Sequence, residues 1–491
     1  MKELVFAAVA ALALTGYARP QLPEGMDGKA GVFSPDGRYL AFERQDGRSR
    51  HLGLYDLANG RIAWVENGPG CAGLASWGAD GSLVYVAGYV TNTAYRAFEE
   101  LNGKAEDGYG IRIWKDGVRR DFTKGRRKDG TPSFTPDGNE IWWVSPEGAG
   151  NHRLTQVYLW RAPAEDSSKR TIALTNHVNG IDALVNQPQF SPDGKLLVWA
   201  MLDRLRDKWG IRLARADDPN RNVPVTPPDE IAFEPRWSAD GRYLVYSAFR
   251  EGDPCWGCYI QEVATGVERR LCDGREPCLS SDGRTLVWTD NDRRHLHFRM
   301  MSAADWPHGE TVRELDVPPD VEPFFATNLP PSAAKVEIPL DSRFDFGDAA
   351  PFYVKVRLEL GDGPWKGRTG FFGARYGRIG ESYGMCVTDG RFVGDFRDRC
   401  YTYFGMETTV PATGGVHEMV AVRTADRVFV SVDGSEPLQQ LARQGHLCLD
   451  KPISLTLGKD LGTKGRVLSC EYGRGWPKGL KRPLTRKEAL K

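Results

Sequence analysis

Apolar residues come in short bursts along this chain, and many of the bursts stand directly behind an Asp-Gly pair. Tyr39–Phe42 (YLAF), Leu196–Ala200 (LLVWA), Tyr243–Ala248 (YLVYSA) and Thr285–Thr289 (TLVWT) are rich in aromatic and β-branched residues. Runs of this length, bounded by turn residues, predict strands. The turn signal before them is itself a repeat. Phe33 opens FSPDGRYLAF, Phe134 opens FTPDGNEIWW, Phe190 opens FSPDGKLLVW and Trp237 opens WSADGRYLVY. Weaker copies are Trp77–Gly81 before SLVYV and Ser280–Gly283 before RTLVW. The aspartates fall at Asp36, Asp80, Asp137, Asp193, Asp240 and Asp282, at intervals of 44, 57, 56, 47 and 42 residues.

In each unit glycine tolerates the positive φ of a tight turn and aspartate bonds to nearby backbone. Six like aspartates therefore read as turn residues, not as six catalytic acids. A further strand follows in each unit, such as His51–Leu57, Gly110–Trp114 or Cys258–Ala264. Basic-hydrophobic stretches such as Val118–Thr123 and Val267–Cys272 complete several units. About four short strands per unit, six times over, predict radial closure, which removes exposed sheet edges. The expected fold is all-β: a six-bladed β-propeller over residues 22–315. Seven blades remain open if 22–30 or 310–325 holds a degenerate strand set. A solenoid is disfavoured because no distinct capping repeats stand out.

The pattern changes after residue 315. Residues 316–333 are rich in proline and polar residues and read as a linker. Longer strands follow, among them Phe352–Leu360, Thr369–Tyr376, Arg391–Phe396, His417–Thr424 and Arg427–Gly434. With no helix of three turns among them, residues 334–474 read as a two-sheet β-sandwich. Residues 475–491 form a basic tail, read either as disordered or as packed back on the sandwich.

The units PRWSADGRYLVYSA and PQFSPDGKLLVWA resemble the TolB-like, WD-type propeller repeat. That resemblance spans about residues 25–315 and implies architecture more than activity, because such propellers serve envelope partners, peptidases and an oligogalacturonate lyase alike. The chain runs from its first segment almost directly into repeats, without the separate amino-terminal α/β domain of the Tol protein. The hairpin HEMVAVRTADRVFVSVDG resembles the concanavalin A-like or laminin-G-like jelly roll. That second resemblance implies glycan or protein binding through rim loops, in some cases with calcium.

Composition alters this picture in two places. Lys+Arg and Asp+Glu both number 65, so nothing steers the chain toward nucleic acid. The first residues, MKELVFAAVAALALTGYA, have an early lysine, an apolar run, and small residues at Gly16 and Ala18. This predicts a signal peptide over 1–18, a secreted or periplasmic protein, and no transmembrane segment in the mature chain. An oxidising compartment favours disulfides among the 9 cysteines. The candidates are Cys255, Cys258, Cys272 and Cys278, with zinc as the weaker reading, then Cys386 with Cys400 and Cys448 with Cys470. Cys71 stands alone in the sequence.

Candidate chemistry is sparse. The residue three before the Phe or Trp of the turn motif, or before Leu279, which takes that place in the last unit, recurs as Ala30, Leu74, Thr131, Gln187, Glu234 and Glu276. In a propeller these positions converge on the axis. Thr131, Gln187, Glu234 and Glu276 are candidate ligand contacts, and the two carboxylates can hold a cation or a basic peptide. The alternative is that they bond to the backbone of the neighbouring blade. His177 is a further candidate, and His295 with His297 form the one His-x-His, read as a half-exposed strand pair. No nucleophile elbow is read: the one Gly-x-Ser-x-Gly spacing, GESYG at Gly380–Gly384, lies among strand runs with no helix after it, and no His-Glu-x-x-His stands in the sequence. The turn motif does not match a sialidase aspartate box. In the sandwich, Trp365, Tyr383 and Trp476 are candidate rim aromatics for sugar stacking. Asp389 and Asp395 are acids for calcium, short of the six oxygens it needs. These features favour an exported, non-catalytic binding or scaffold protein without a cofactor. Its partner would be a protein or glycan in the cell envelope or outside the cell. The alternatives are a carbohydrate-active enzyme using Gln187, Glu234, Glu276 and His177, and a sensor ectodomain.

Overall fold

The computed structural model describes residues 25–47, 49–88, 109–123, 129–146, 157–174, 185–203, 208–226, 230–310, 318–330, 335–344, 346, 350–376, 380–397, 403–424, 427–435, 437–441, 454–458, 460–483 and 485–490. They are nearly all β-strand, in a propeller-like architecture followed by two packed sheets. The expected signal segment 1–18, His177, Cys400 and Cys448 lie outside the described residues.

The repeat units fold as antiparallel β-units, numbered 1 to 6 by their first strands: Lys29–Phe33, Cys71–Trp77, Gly130–Phe134, Val185–Phe190, Ile231–Trp237 and Arg275–Leu279. Units 3 to 6 are separate four-stranded sheets, whereas units 1 and 2 are joined by one parallel bridge between Arg50 and Cys71. The first strands touch in cyclic order, and that of unit 6 touches that of unit 1. The two-residue strand Met26–Asp27 supplies the outer strand of unit 6, with Met26 opposite Leu296 and Asp27 opposite His295. Met26–Asp27, inside the stretch 22–30 read as a candidate for part of a seventh unit, thus closes the ring from its far end.

The turn motif explains the start of each unit. The Ser34 hydroxyl donates to Asp36 Oδ1 (2.6 Å), which also accepts the Arg38 N–H (3.0 Å). Gly37 follows at φ +70°, which a side chain would disfavour. The same hydroxyl-to-aspartate bond, at 2.6 Å, recurs at Thr135–Asp137, Ser191–Asp193, Ser238–Asp240 and Ser280–Asp282. In unit 2 the serine is replaced by Gly78, and Asp80 takes its hydroxyl from Ser82 instead (2.9 Å).

The ring's core is a set of seams between neighbouring units. Trp143 packs with Ile111, Ile113 and Phe122 of unit 2, while the adjacent Trp142 packs with Leu197 and Trp199 of unit 4. Successive residues of a strand point to opposite faces, and both faces here are covered. That is why these strands read as continuous apolar runs.

Connections sort by face. Each first strand joins its second through the five-residue turn motif. At the other face the second-to-third connections vary from 47–48 in unit 1 to 89–108 in unit 2 and 250–256 in unit 5. One face is uniform; the other carries the variable loops.

The second part has two six-stranded sheets. One is ordered Phe325–Asn328, Gly465–Gly473, Phe352–Leu360, Gly415–Arg423, Arg427–Val432, Leu438–Leu441. The other is ordered Val336–Pro339, Ser454–Leu457, Arg368–Tyr376, Gly380–Thr388, Arg391–Arg397, Tyr403–Pro411. A single apolar core holding Phe344, Phe371, Phe392 and Tyr472 lies between them. Two expectations change here. The presumed linker contributes the strand Phe325–Asn328, because Phe324 and Phe325 pack their rings on Phe344 and Tyr472. The basic tail is ordered at both ends: Trp476 is fully buried against Tyr353 and Phe429, and Ala489 and Leu490 pack on units 4 and 5 of the ring.

Candidate functional site

The aligned positions Ala30, Leu74, Thr131, Gln187, Glu234 and Glu276 are a structural set. Each sits in a bulge of its first strand, in the left-handed region, with φ of 52°, 53°, 40°, 54°, 61° and 56°. In units 3 to 6 the next residue is proline (Pro132, Pro188, Pro235, Pro277), which has no N–H to leave unpaired at the bulge. All six line one small axial cavity of about 50 Å³.

The side chains of this set tie one unit to the next. Thr131 Oγ1 accepts the Gln187 N–H (3.1 Å), and Gln187 Oε1 accepts the Glu234 N–H (2.8 Å). Glu234 Oε2 accepts the Glu276 N–H (3.1 Å), and Glu276 Oε2 accepts the Ala30 N–H (2.9 Å) across the closing seam. Ala30 has no acceptor to pass on. Glu43, on the second strand of unit 1, substitutes and accepts the Leu74 N–H (2.7 Å). A Cβ on Gly73 would stand 2.2 Å from Glu43 Oε1, so glycine makes room for that carboxylate. The sequence offered no sign of Glu43, because it lies outside the aligned position.

Cations neutralise the buried carboxylates. Arg275 pairs with Glu234 (3.3 Å), Arg293 with Glu276, and Lys29 (3.7 Å) and Arg50 (3.3 Å) with Glu43. Burial pushes the Glu276 carboxyl up, but Arg293, the Thr289 hydroxyl, Lys29 and Arg275 outweigh it and hold the group below its ordinary range. The Arg275 guanidinium lies 4.1 Å from the centre of the Trp256 ring, in the 250–256 connection. Phe233, Trp209 and Phe249 extend that aromatic patch. Arginine and indole therefore stack beside the axial carboxylate of Glu234.

A second buried acid behaves oppositely. Glu230 is 2% exposed and bonds Arg250 Nε (2.6 Å), while its other oxygen is buried without a hydrogen-bond partner. Burial, reinforced by nearby Glu268 and Asp253, pushes its carboxyl from 4.5 up to about 7 despite Arg250. Arg250 itself is held more firmly charged, since it has a second carboxylate in Glu268 (2.6 Å). A raised carboxyl stabilises the fold fully below its unfolded value and loses that contribution as pH rises through about 7. Glu230→Gln should match the native chain near pH 5 and exceed it by about 1–3 kcal/mol at pH 8 in urea unfolding, since a tenfold change in proton affinity is worth about 1.4 kcal/mol.

The other candidates are placed differently. Trp365, Tyr383 and Trp476 are all buried, and the Tyr383 hydroxyl meets that of Tyr472 (3.0 Å). Buried, they cannot stack on a sugar; Trp365 and Tyr383 spend their apolar area between the sheets, and Trp476 on the far face of one of them against Tyr353 and Phe429. Cys255, Cys258, Cys272, Cys278, Cys386 and Cys470 carry no disulfide. Cys258 and Cys272 face each other across adjacent strands of unit 5, whereas Cys278 lies on the first strand of unit 6, so four residues close in sequence are parted between two sheets. Among the described residues no group of three or more His, Cys, Asp or Glu is placed to hold a metal. Asp395 pairs with Arg368, and Asp389 caps the Gly367 N–H (2.8 Å). His295 turns to Asp290 (3.0 Å) and His297 stacks on Trp288.

No family model matches the chain. TolB of Francisella tularensis is 36% identical over 75 residues, 14% of this chain and 17% of that protein. A protein named uncharacterized peptidase YuxL, from Bacillus subtilis, is 30% identical over 112 residues, 21% of this chain and 17% of its own length. The chain thus matches about a sixth of the length of these curated relatives. Among solved structures, TolB of Acinetobacter baumannii covers 61% of this chain and 68% of its own at 16% identity, with a TM-score of 0.40. An oligogalacturonate lyase from Vibrio parahaemolyticus covers 59% and 94% at 14% identity, with a TM-score of 0.40. The similarity to TolB proteins is partial and confined to a stretch of the chain. Among the described residues no helix is long and apolar enough to cross a membrane.

Proposed function

We propose that the chain is an exported, non-catalytic binding or scaffold protein. In this reading the ring is a six-bladed TolB-like propeller over 22–315, recognising a protein or envelope partner. The two sheets of 334–474 are a concanavalin A-like jelly roll that binds glycan or protein. Thr131, Gln187, Glu234 and Glu276 serve chiefly to join the blades, and ligand contact falls to the groups around them. The observation that carries this reading is the asymmetry of the ring: uniform five-residue turns on one face, and connections of varied length on the other, where Trp256 stacks on Arg275 beside the axial Glu234. Binding residues concentrate on loops held by a rigid scaffold. The enzymatic alternative, a lyase or glycosidase at the channel, asks an axial acid to carry a proton. Glu276 is held ionised, with both oxygens engaged by Ala30, Thr289 and Arg293, which does not suit that task.

The test compares the two faces. Envelope partners crosslinked to the intact chain should be lost with Trp256→Ala, on the loop face, and kept with Arg242→Ala, on the turn face. Equal loss from both, or none from the first, would overturn the reading.

A further inference from the structure

A cleft of about 350 Å³ lies away from the axis, where units 1 and 2 meet, against about 50 Å³ on the axis. Arg50, Glu66, Arg112 and Asp121 line it, with glycines such as Gly68 and Gly110 along its wall. It opens at the same ends of the strands as the variable loops, since Gly88 ends a second strand and Gly110 lies near the start of a third.

Its charges divide into two groups. Arg112 and Arg119 face Glu66 and Asp121, two cations against two acids, through pairs of 3.0, 2.9 and 2.8 Å. That group is balanced. The other is a chain: Arg50 and Lys29 share the carboxylate of Glu43, and Lys29 also acts on the buried Glu276, so Glu43 is Arg50's one carboxylate partner among the described residues. The Arg50 side chain is buried, at 8% exposed, and that of Lys29 is half-buried, at 17%. One nitrogen of the Arg50 guanidinium binds Glu43, and its Nε is buried without an acceptor. Buried donors are nearly always satisfied, and a carboxylate fits the edge of a guanidinium through charge-assisted bonds. Glycine walls let a small ligand approach the backbone.

We propose that this cleft is a binding site for a small polar molecule bearing a carboxylate, which pairs with the Arg50 guanidinium. The site is distinct from the axial mouth and does not depend on the function assigned there. Because Arg50 also holds Glu43, which holds the Leu74 N–H, occupancy would brace the seam between units 1 and 2.

The experiment is isothermal titration of the full chain with succinate, its neutral isostere succinamide, and inorganic phosphate. Succinate should bind, succinamide should not, and phosphate should bind more weakly than succinate. Arg50→Gln should weaken succinate at least tenfold, the scale of one charge-assisted hydrogen bond. That variant also disturbs Glu43, so a second one decides if it fails to fold. No heavy atom lies within 4 Å of where a Gly68 Cβ would sit, so Gly68→Leu adds bulk to the cleft's lining without displacing the seam. It should abolish succinate binding and leave the unfolding midpoint unchanged. No succinate binding, equal binding of succinamide, tighter binding of phosphate, or undiminished binding in Gly68→Leu would each overturn the proposal.

Discussion

Glu276→Ala is expected to destabilise the fold by about 3–5 kcal/mol, the usual result of removing one partner from a buried ion pair. The truncation removes the acceptor of the Thr289 hydroxyl, one of the two acceptors of the Ala30 N–H (the other is Thr289 Oγ1, at 3.0 Å), and a carboxylate that faces Arg293 and Lys29. Ala30 belongs to unit 1 and Glu276 to unit 6, so the loss falls on the seam that closes the ring. Glu276→Gln keeps an acceptor for Ala30 and Thr289 and loses only the charge, so its cost should be smaller, about 1–3 kcal/mol, as for an unpaired charged partner. Urea unfolding at pH 7 separates the two. The pH dependence has a definite sign. The folded carboxyl lies below its unfolded value, so its contribution is present above about pH 4.5 and is lost as pH falls through the folded value. The native chain should weaken on acidification, and Glu276→Gln should lack that part of the acid limb. Equal stability of native chain and alanine variant at pH 7 would remove Glu276 from any part in closure.

The same residue shows where sequence reading stops. Its position was legible, because the bulge repeats three residues before an aromatic, or before Leu279 in its own unit, and is followed by proline in four units: TPSF, QPQF, EPRW and EPCL. What its carboxylate bonds was not, since the Ala30 N–H lies 246 residues away and meets it only when the ring closes. Strands and turn aspartates were readable because they are local: a serine, an aspartate and a glycine within four residues define the turn. The aromatic candidates misled for a related reason. Trp365, Tyr383 and Trp476 carry no local mark of burial, and their place in or beneath a sheet follows from pairings made far along the chain. Glu43, Trp256 and the Arg50 cleft had no repeat to announce them; each depends on one unit departing from the pattern of the others.

The tail gives the second large effect. Deleting residues 484–491 should cost about 2–4 kcal/mol, from the burial of Ala489 and Leu490 and the loss of hydrogen bonds made by a charged group. Arg486 donates to Val225 O (3.0 Å), Gln261 Oε1 (3.0 Å) and Val263 O (3.5 Å), and so bridges units 4 and 5. The short helix Arg486–Ala489 that aims it is held by a capping box: Thr485 Oγ1 accepts the Glu488 N–H (3.2 Å), and Glu488 accepts the Thr485 N–H (2.9 Å). That Thr-x-x-Glu signal was present in the basic tail, and it argues for order where the charge alone argues for disorder. Upstream, Arg482 bonds Pro318 O (2.6 Å), so the tail also gathers the segments by which the chain enters and leaves the two packed sheets. Hydrogen exchange should locate the damage. Without the tail, amides of Asp218–Pro224 and Gly257–Glu262 should exchange faster, while those of unit 2 stay protected. Arg486→Lys should reproduce part of the effect, about 1–2 kcal/mol, because an ammonium cannot span three acceptors in one plane. Unchanged exchange in units 4 and 5 after deletion would mean that the tail merely rests on the ring and does not fasten it.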